Sequence, residues 1–483
     1  MEERRDVLRE SFSQNFVENS SHDMSYTKKY IEGELVIASW GFVSKGIGFI
    51  NTVITLSALS VYQYGVFQLL LSGYGFFSGL TGIGVSFAGT DVSCAMGDGN
   101  EARAKRIFLQ THGVRLLFSL LAAGIFYFGT PLVSFKYDDT LLAFFKIFSF
   151  LFVSDELIAF GKKLMAYRLD FGTFARRSSI QKIIQCGILL YFLFFGSIGI
   201  REVLLSIVIS SYASVLFLLP GTVRAYKPWR LVTAERGPVF WRLLRAHGKW
   251  FLAGQFLGLF TDRIQPWLIK IFISTEAVAI YSIADTMVGI IRKLFPTSTL
   301  SSIIPLRVHD RVMARRILTY GTKYFVALMF VVGCLSFVLA PPVIRTFFVP
   351  YEGALPYFYA LLITLPMNAL VIIPALYVHA LRKQKFWFFH DMFKTILRIP
   401  SLLILLPLLG LWGMVFDKLF MMTIMLLIFL VYLSRMKHDI PIAWNRFFVF
   451  DHEDAQFLKL LKDQIRSVLD RKFAHFLNKR EMT

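Results

Sequence analysis

The chain has 483 residues, 55% of them hydrophobic and 17% charged, with a mean hydropathy of +0.57. Soluble domains are about 45–50% apolar and about 25% charged, which excludes a single water-soluble globule. The net charge of +20 would suggest a nucleic-acid partner in a soluble protein. No zinc pattern, RRM motif or base-reading basic helix accompanies it, and basic cytoplasmic loops of a membrane protein account for it instead.

The N-terminal stretch MEERRDVLRESFSQNFVENSSHDMSYTKKY is polar, unlike a cleaved signal peptide, so the first apolar segment is expected to be a retained membrane helix. A bilayer core needs about 20 mostly apolar residues per helix. Such runs predict twelve spans, near 35–57, 65–89, 114–135, 141–161, 179–198, 203–221, 250–272, 278–305, 321–340, 356–380, 392–410 and 411–434. The fold expected is therefore an all-α polytopic membrane protein, with two six-helix lobes around a central cavity.

The loops set the expected topology. One set carries Arg103, Lys105 and Arg106, then Lys162, Lys163 and Arg168, then Arg224 to Lys249, then Arg307 to Arg316, then Arg382, Lys383 and Lys385. The alternate set carries little beyond Lys136, Arg201 and Arg345. That asymmetry places the basic set and both termini in the cytoplasm. The expected organisation is a cytoplasmic segment 1–32, a lobe 33–221, a basic linker 222–249, a second lobe 250–434 and a tail 435–483.

The two halves share a weak repeat. LSVYQYGVFQ (59–68) and STEAVAIYSI (274–283) both read as a short outer loop entering a helix, and each is followed by a basic loop. The repeat is parallel, as in transporters with an axis along the membrane normal. In the tail, apolar residues from Phe457 to Leu477 recur at helical spacing among lysines and arginines. This predicts an amphipathic helix on the inner leaflet, or a packed cytoplasmic coil.

Ionisable residues inside a bilayer are costly and normally face a cavity or a partner. Arg292 and Lys293 fall mid-span in the eighth helix, with Asp285 seven residues earlier on the face of Arg292. Asp262 and Arg263 sit midway along the seventh. They read as a cationic cavity wall with balancing carboxylates, or as internal Asp–Arg pairs that lock helices. Lys45 lies about ten residues into the first helix, on a face with Ser44, Gly48, Asn51 and Thr52, too deep to snorkel easily. Lys146, Asp155, Glu156 and Lys182 lie nearer helix ends and read as interfacial, while Arg398, Asp417 and Lys418 are ambiguous. The second helix is rich in small residues, and Gly75 and Gly79 form a close-packing step.

Cys94, Cys186 and Cys334 have no metal spacing and no disulfide framework. No phosphate loop, HExxH or GxSxG occurs. No cofactor, metal or catalytic residue is expected.

Two six-helix lobes, a basic central loop and cytoplasmic termini resemble the Wzx-type polysaccharide biosynthesis, or O-antigen, flippases. These belong to the multidrug/oligosaccharidyl-lipid/polysaccharide exporter superfamily. The local matches are LSVYQYGVFQLLLSGYG (59–75) and the stretch from WFLAGQFLGLFTDRIQPW to Pro305 (250–305), with Ala279 where the family usually has Gly. The resemblance implies a transporter, not an enzyme, in the bacterial plasma (inner) membrane. It would move a lipid-pyrophosphate-linked oligosaccharide, a polysaccharide or lipopolysaccharide precursor, by alternating access. Arg292, Lys45, Arg263 and Lys293 would meet the pyrophosphate, and Asp262 and Asp285 would couple H⁺ or Na⁺ or balance charge. Membrane lipids and polysaccharide assembly proteins are the implied partners. Three alternatives stay open. A MATE-like drug or cation antiporter predicts a carboxylate-dominated cavity. A membrane-embedded glycan polymerase or ligase predicts a large outer loop, longer than the one near 341–355. The third is a non-transporting scaffold.

Overall fold

The computed structural model describes residues 39–82, 89–129, 139–293, 315–381, 383–436 and 447–455, apart from single positions within those ranges. The expectations placed on the N-terminal segment, on Pro305, and on the amphipathic tail past 455 lie outside the described residues. Among the described residues the regular structure is helical, with no strand.

The helices follow the apolar runs. α1 spans 39–58, α2 Val61–Thr81, α3 Glu101–Phe128, α4 Asp139–Tyr167, α5 Phe171–Phe195, α6 Ile200–Arg230, α7 Val239–Phe272 and α8 Thr275–Lys293. After a π turn at Ile317–Gly321 come α9 (Thr322–Phe347), α10 (Leu355–Leu362), α11 (Thr364–Ala380), α12 (Gln384–Leu409) and α13 (Leu411–Arg435). Val349–Leu362, which includes α10, meets α11 at 46°, so the tenth predicted span is a broken helix. Each of the twelve predicted spans overlaps a described helix. Five described helices are long and apolar enough to cross a membrane, or six with the bent pair counted as one. α4 and α7 are outside that set, and both carry charges within the helix: Asp155, Glu156, Lys162 and Lys163 in one, Asp262, Arg263 and Lys270 in the other. Phe128, Phe194, Phe195 and Leu408 are each more than 70% exposed, as lipid-facing side chains are in a polytopic all-α membrane protein.

Local chemistry sets several helix ends. α2 starts with a capping box, in which the Gln63 N–H donates to Ser60 Oγ at 3.2 Å and the Ser60 N–H to Gln63 Oε1 at 3.1 Å. α3 starts at Asn100, whose Oδ1 accepts from the Arg103 N–H at 3.0 Å. α12 turns into α13 at Gly410, whose φ of +59° favours glycine. A Cβ on Gly413 would run into the Leu405 carbonyl, so this tight hairpin needs a second glycine.

The polar stretch 222–249 is mostly helical, because α6 runs on to Arg230 and α7 starts at Val239. Packing extends α6. Trp229 is fully buried, with its ring 5.4 Å from that of Phe108. Lys105 Nζ donates to the carbonyls of Trp229 at 2.6 Å and Val232 at 2.8 Å. A cation there satisfies groups left open at the helix C-terminus and complements its dipole.

The chain forms two compact units, one of residues 1–280 with 345–352 and one of residues 281–344 with 353–483. In the first, α4 packs along α3 and α6, α5 along α6, and α2 along α7. Its core joins Phe108, Leu164, Met165, Leu218 and Trp229, and a second cluster joins Phe126 and Phe152 with Tyr74, Phe77 and Phe145. In the second unit α13 packs on α12, α10 and α11, around Ile373, Tyr377, Val378, Phe429 and Leu433.

A candidate substrate cavity in the first unit

The small residues of α2 decide where α7 lies. A Cβ on Gly75 would come within 2.5 Å of Arg263 Cζ, and one on Gly79 would overlap the Leu259 side chain. Ser72 Oγ donates to the Arg263 carbonyl at 2.5 Å. The Gly75–Gly79 step is thus a close-approach face between membrane helices, and the Arg263 guanidinium lies over the missing side chain of Gly75.

Beside this contact is a cavity of about 500 Å3. Gln68, Ser72, Tyr74 and Ser78 line it from α2, and Asp262, Arg263 and Pro266 from α7. Asp262 and Arg263 are both exposed residues of its wall. Leu71 and Leu259 complete the wall, and two opposite charges, hydroxyls and an amide among them suit a ligand with polar groups better than a wholly apolar one.

A second polar layer lies behind Tyr74. Its ring packs 4.7 Å from Phe152 and 5.5 Å from Phe148, centroid to centroid. Its hydroxyl donates to Asp155 Oδ2 on α4. Ser211 Oγ donates to Asp155 Oδ1 at 3.4 Å and lies 2.9 Å from Ser154 Oγ. Glu156 contacts different groups, His112 Nδ1 at 2.7 Å and Arg115 Nε at 2.8 Å. With a side chain only 3% exposed, Glu156 is a buried network residue and not interfacial, because two helix-borne partners on α3 meet it.

The remaining expected site residues are dispersed. Lys45 is exposed on α1, while Asn51 on the face predicted with it donates to the Lys182 carbonyl at 3.1 Å and ties α1 to α5. In the second unit, Asp285 is ion-paired with Lys418 and Arg292 is exposed. The side chain of Lys293 lies outside the described residues. Of the six expected residues, the cavity therefore gathers Asp262 and Arg263. Arg398, ambiguous in sequence, forms a buried pair with Asp417 at 3.1 Å. Sequence reasoning missed Gln68 and Tyr74 as cavity walls. Gln68 and Ser72, one turn apart in the apolar middle of α2, were the available signal.

Several solved structures share this fold. The lipid II flippase MurJ, in an inward closed conformation, matches with a TM-score of 0.59 and 14% identity over 86% of this chain and 89% of that one. A mutant of the Vibrio cholerae MATE transporter VcmN matches with a TM-score of 0.60 and 13% identity over 85% of this chain and 97% of that one. A MOP superfamily transporter from Pyrococcus furiosus matches with a TM-score of 0.58 and 13% identity over 84% and 96%. At these identities the likeness is one of fold. No curated protein sequence matches the chain. The family described as Polysaccharide biosynthesis protein matches residues 31–308, more than half of the chain, from α1 through α8 and including Asp262 and Arg263. The chain therefore belongs to the polysaccharide biosynthesis protein family and is a membrane protein of the flippase and transporter fold.

Proposed function

We propose that the protein is a flippase that carries a lipid-pyrophosphate-linked oligosaccharide across the plasma membrane by alternating access. The observation that carries this reading is Arg263, a cation in the wall of a cavity of a chain whose family is described as polysaccharide biosynthesis protein. A pyrophosphate with its sugar cannot enter hydrocarbon, because its charges would lose their hydration. A guanidinium replaces that hydration with paired, charge-assisted hydrogen bonds. Gln68, Ser72 and Ser78 supply amide and hydroxyl groups for the first sugar. A cavity of about 500 Å3 falls in the roughly 300–1,000 Å3 range of small-ligand sites. It suits the pyrophosphate and an adjoining sugar, with the rest of the glycan outside. Arg292, Lys45 and Lys293 are proposed as further cations along the route, with membrane lipids and polysaccharide assembly proteins as partners. Both termini are proposed to be cytoplasmic, and the stretches 33–221 and 250–434 to act as the two moving lobes.

The test is reconstitution in liposomes that carry a lipid-pyrophosphate-linked oligosaccharide, with exposure of the glycan to an added glycosidase followed over time. Faster exposure with the native protein, lost in Arg263→Ala and partly kept in Arg263→Lys, is expected. Full activity of Arg263→Ala, Arg292→Ala and Lys45→Ala alike would overturn the cationic route. Export of an organic cation with no glycan exposure would favour the drug antiporter.

A further inference from the structure

Carboxylates within the helices of the described residues differ in the partners that hold them. Glu156 faces Arg115 and His112, Asp285 faces Lys418, and Asp417 faces Arg398. Asp155 is instead hydrogen-bonded by the hydroxyls of Tyr74 and Ser211. A guanidinium or ammonium only donates, so protonation of its carboxylate forfeits the charge attraction and one acceptor position. A hydroxyl both donates and accepts, so it serves a carboxylate and a carboxylic acid alike. Ser154, 2.9 Å from Ser211, extends this adaptable network. Tyr74 and its hydrogen-bond partner Ser78 both line the cavity, so a chain of hydroxyls links the cavity wall to Asp155.

We propose that Asp155, reached from the cavity through the Tyr74 hydroxyl, is a protonation site that couples proton movement to transport. The coupling rests on the transporter reading above, whereas the protonation site itself does not. A hydronium ion in the cavity gives a proton to Tyr74 Oη as the proton already there passes to Asp155 Oδ2. Water remains, Tyr74 stays neutral and Asp155 becomes a carboxylic acid. Several helices bring charged groups toward Asp155. Arg115 on α3, Lys162 on α4 and Lys182 on α5 lie within electrostatic range. Glu156 is engaged with His112 and Arg115, and α2 and α6 bring the Tyr74 and Ser211 hydroxyls. Asp262 and Arg263 on α7 share the cavity wall with Tyr74. Both Asp155 oxygens already face hydroxyl hydrogens, an arrangement that a carboxylic acid keeps and a metal ion would have to displace, so H⁺ and not Na⁺ is the ligand proposed. Because Tyr74 is both relay and wall, each change of protonation reverses its hydrogen bond and alters the surface offered to cargo.

Infrared difference spectra of the full chain in lipid nanodiscs, between alkaline and acidic pH and without glycan, test the site. The native protein is expected to gain a carboxylic C=O band that disappears in Asp155→Asn and shifts in Asp155→Glu. Tyr74→Phe is expected to move the band, since the acid loses its partner. A Na⁺ jump at constant pH is expected to leave the carboxyl region unchanged. A band that persists in Asp155→Asn would overturn the proposal, and a carboxylate response to Na⁺ would overturn the choice of ion. In the liposome assay, an imposed pH gradient is expected to accelerate glycan exposure by the native protein but not by Asp155→Asn. If the band behaves as expected while no glycan is exposed, the protonation site stands and the proposed cargo fails. If glycan is exposed and the gradient acts equally on both proteins, the cargo stands and the coupling role fails.

Discussion

Removing Arg398 should damage the second unit far more than removing it together with Asp417. The Arg398 side chain is 8% exposed, that of Asp417 is fully buried, and the two meet at 3.1 Å. Taking one partner from a buried ion pair strands the other charge and costs about 3–5 kcal/mol. Replacing both with apolar residues of similar volume is often neutral or stabilising. Arg398→Met and Asp417→Leu are each expected to lose about 3–5 kcal/mol, and independent effects would sum to about 6–10 kcal/mol. The double variant is instead expected within about 2 kcal/mol of the native protein, the gap measuring the coupling. Unfolding in micelles titrated with a denaturing detergent gives all four stabilities. Tryptophan fluorescence is a suitable signal, because Trp412 sits on α13 near Tyr357 at 5.1 Å. A double variant as unstable as the sum would show that the two side chains do not act as a pair.

Three further outcomes follow from close contacts. Gly75→Ala would push a methyl group into the Arg263 guanidinium, the far end of a flexible side chain. It is expected to fold normally while slowing glycan exposure, as is expected of Arg263→Ala, and native activity would remove Arg263 from the proposed route. At Gly65 a Cβ would meet the Thr275 carbonyl, which is backbone and cannot move aside. Gly65→Ala is therefore expected to lower thermal stability by about 1–3 kcal/mol, as overpacking does, and an unchanged melting curve would contradict the contact. Lys105→Met leaves the carbonyls of Trp229 and Val232 without the cation that caps them. Faster amide hydrogen exchange over 226–237 is expected, with α2 unaffected. Uniform exchange across the first unit would argue against a local cap.

Patterns along the chain were enough for the fold. A membrane helix must satisfy its own backbone hydrogen bonds within one segment, so an apolar run of sufficient length is nearly a structure by itself, and the predicted spans overlap the described helices. The Gly75–Gly79 step was likewise legible, since only residues without bulk let two helices come so close. The resemblance in 59–75 and 250–305 pointed to the family that the match over 31–308 shows.

Partners were decided by tertiary structure. Asp155 and Glu156 are adjacent in sequence, yet one accepts from the Tyr74 and Ser211 hydroxyls and the other is paired with Arg115 and His112. Adjacent helical residues point about 100° apart, and periodicity alone does not say which neighbour each will meet. Asp285 shares a helix face with Arg292 and read as a balancing carboxylate or as part of a helix-locking pair, and its ion pair is with Lys418, more than a hundred residues away. The polar stretch 222–249 read as a linker, but Trp229 and Lys105 carry α6 into it. Composition and spacing determined that this chain is a many-helix membrane protein, because hydrocarbon imposes one rule on every span. Which charges line a cavity, which face each other and which meet hydroxyls depended on helix rotation and packing, which no single span contains.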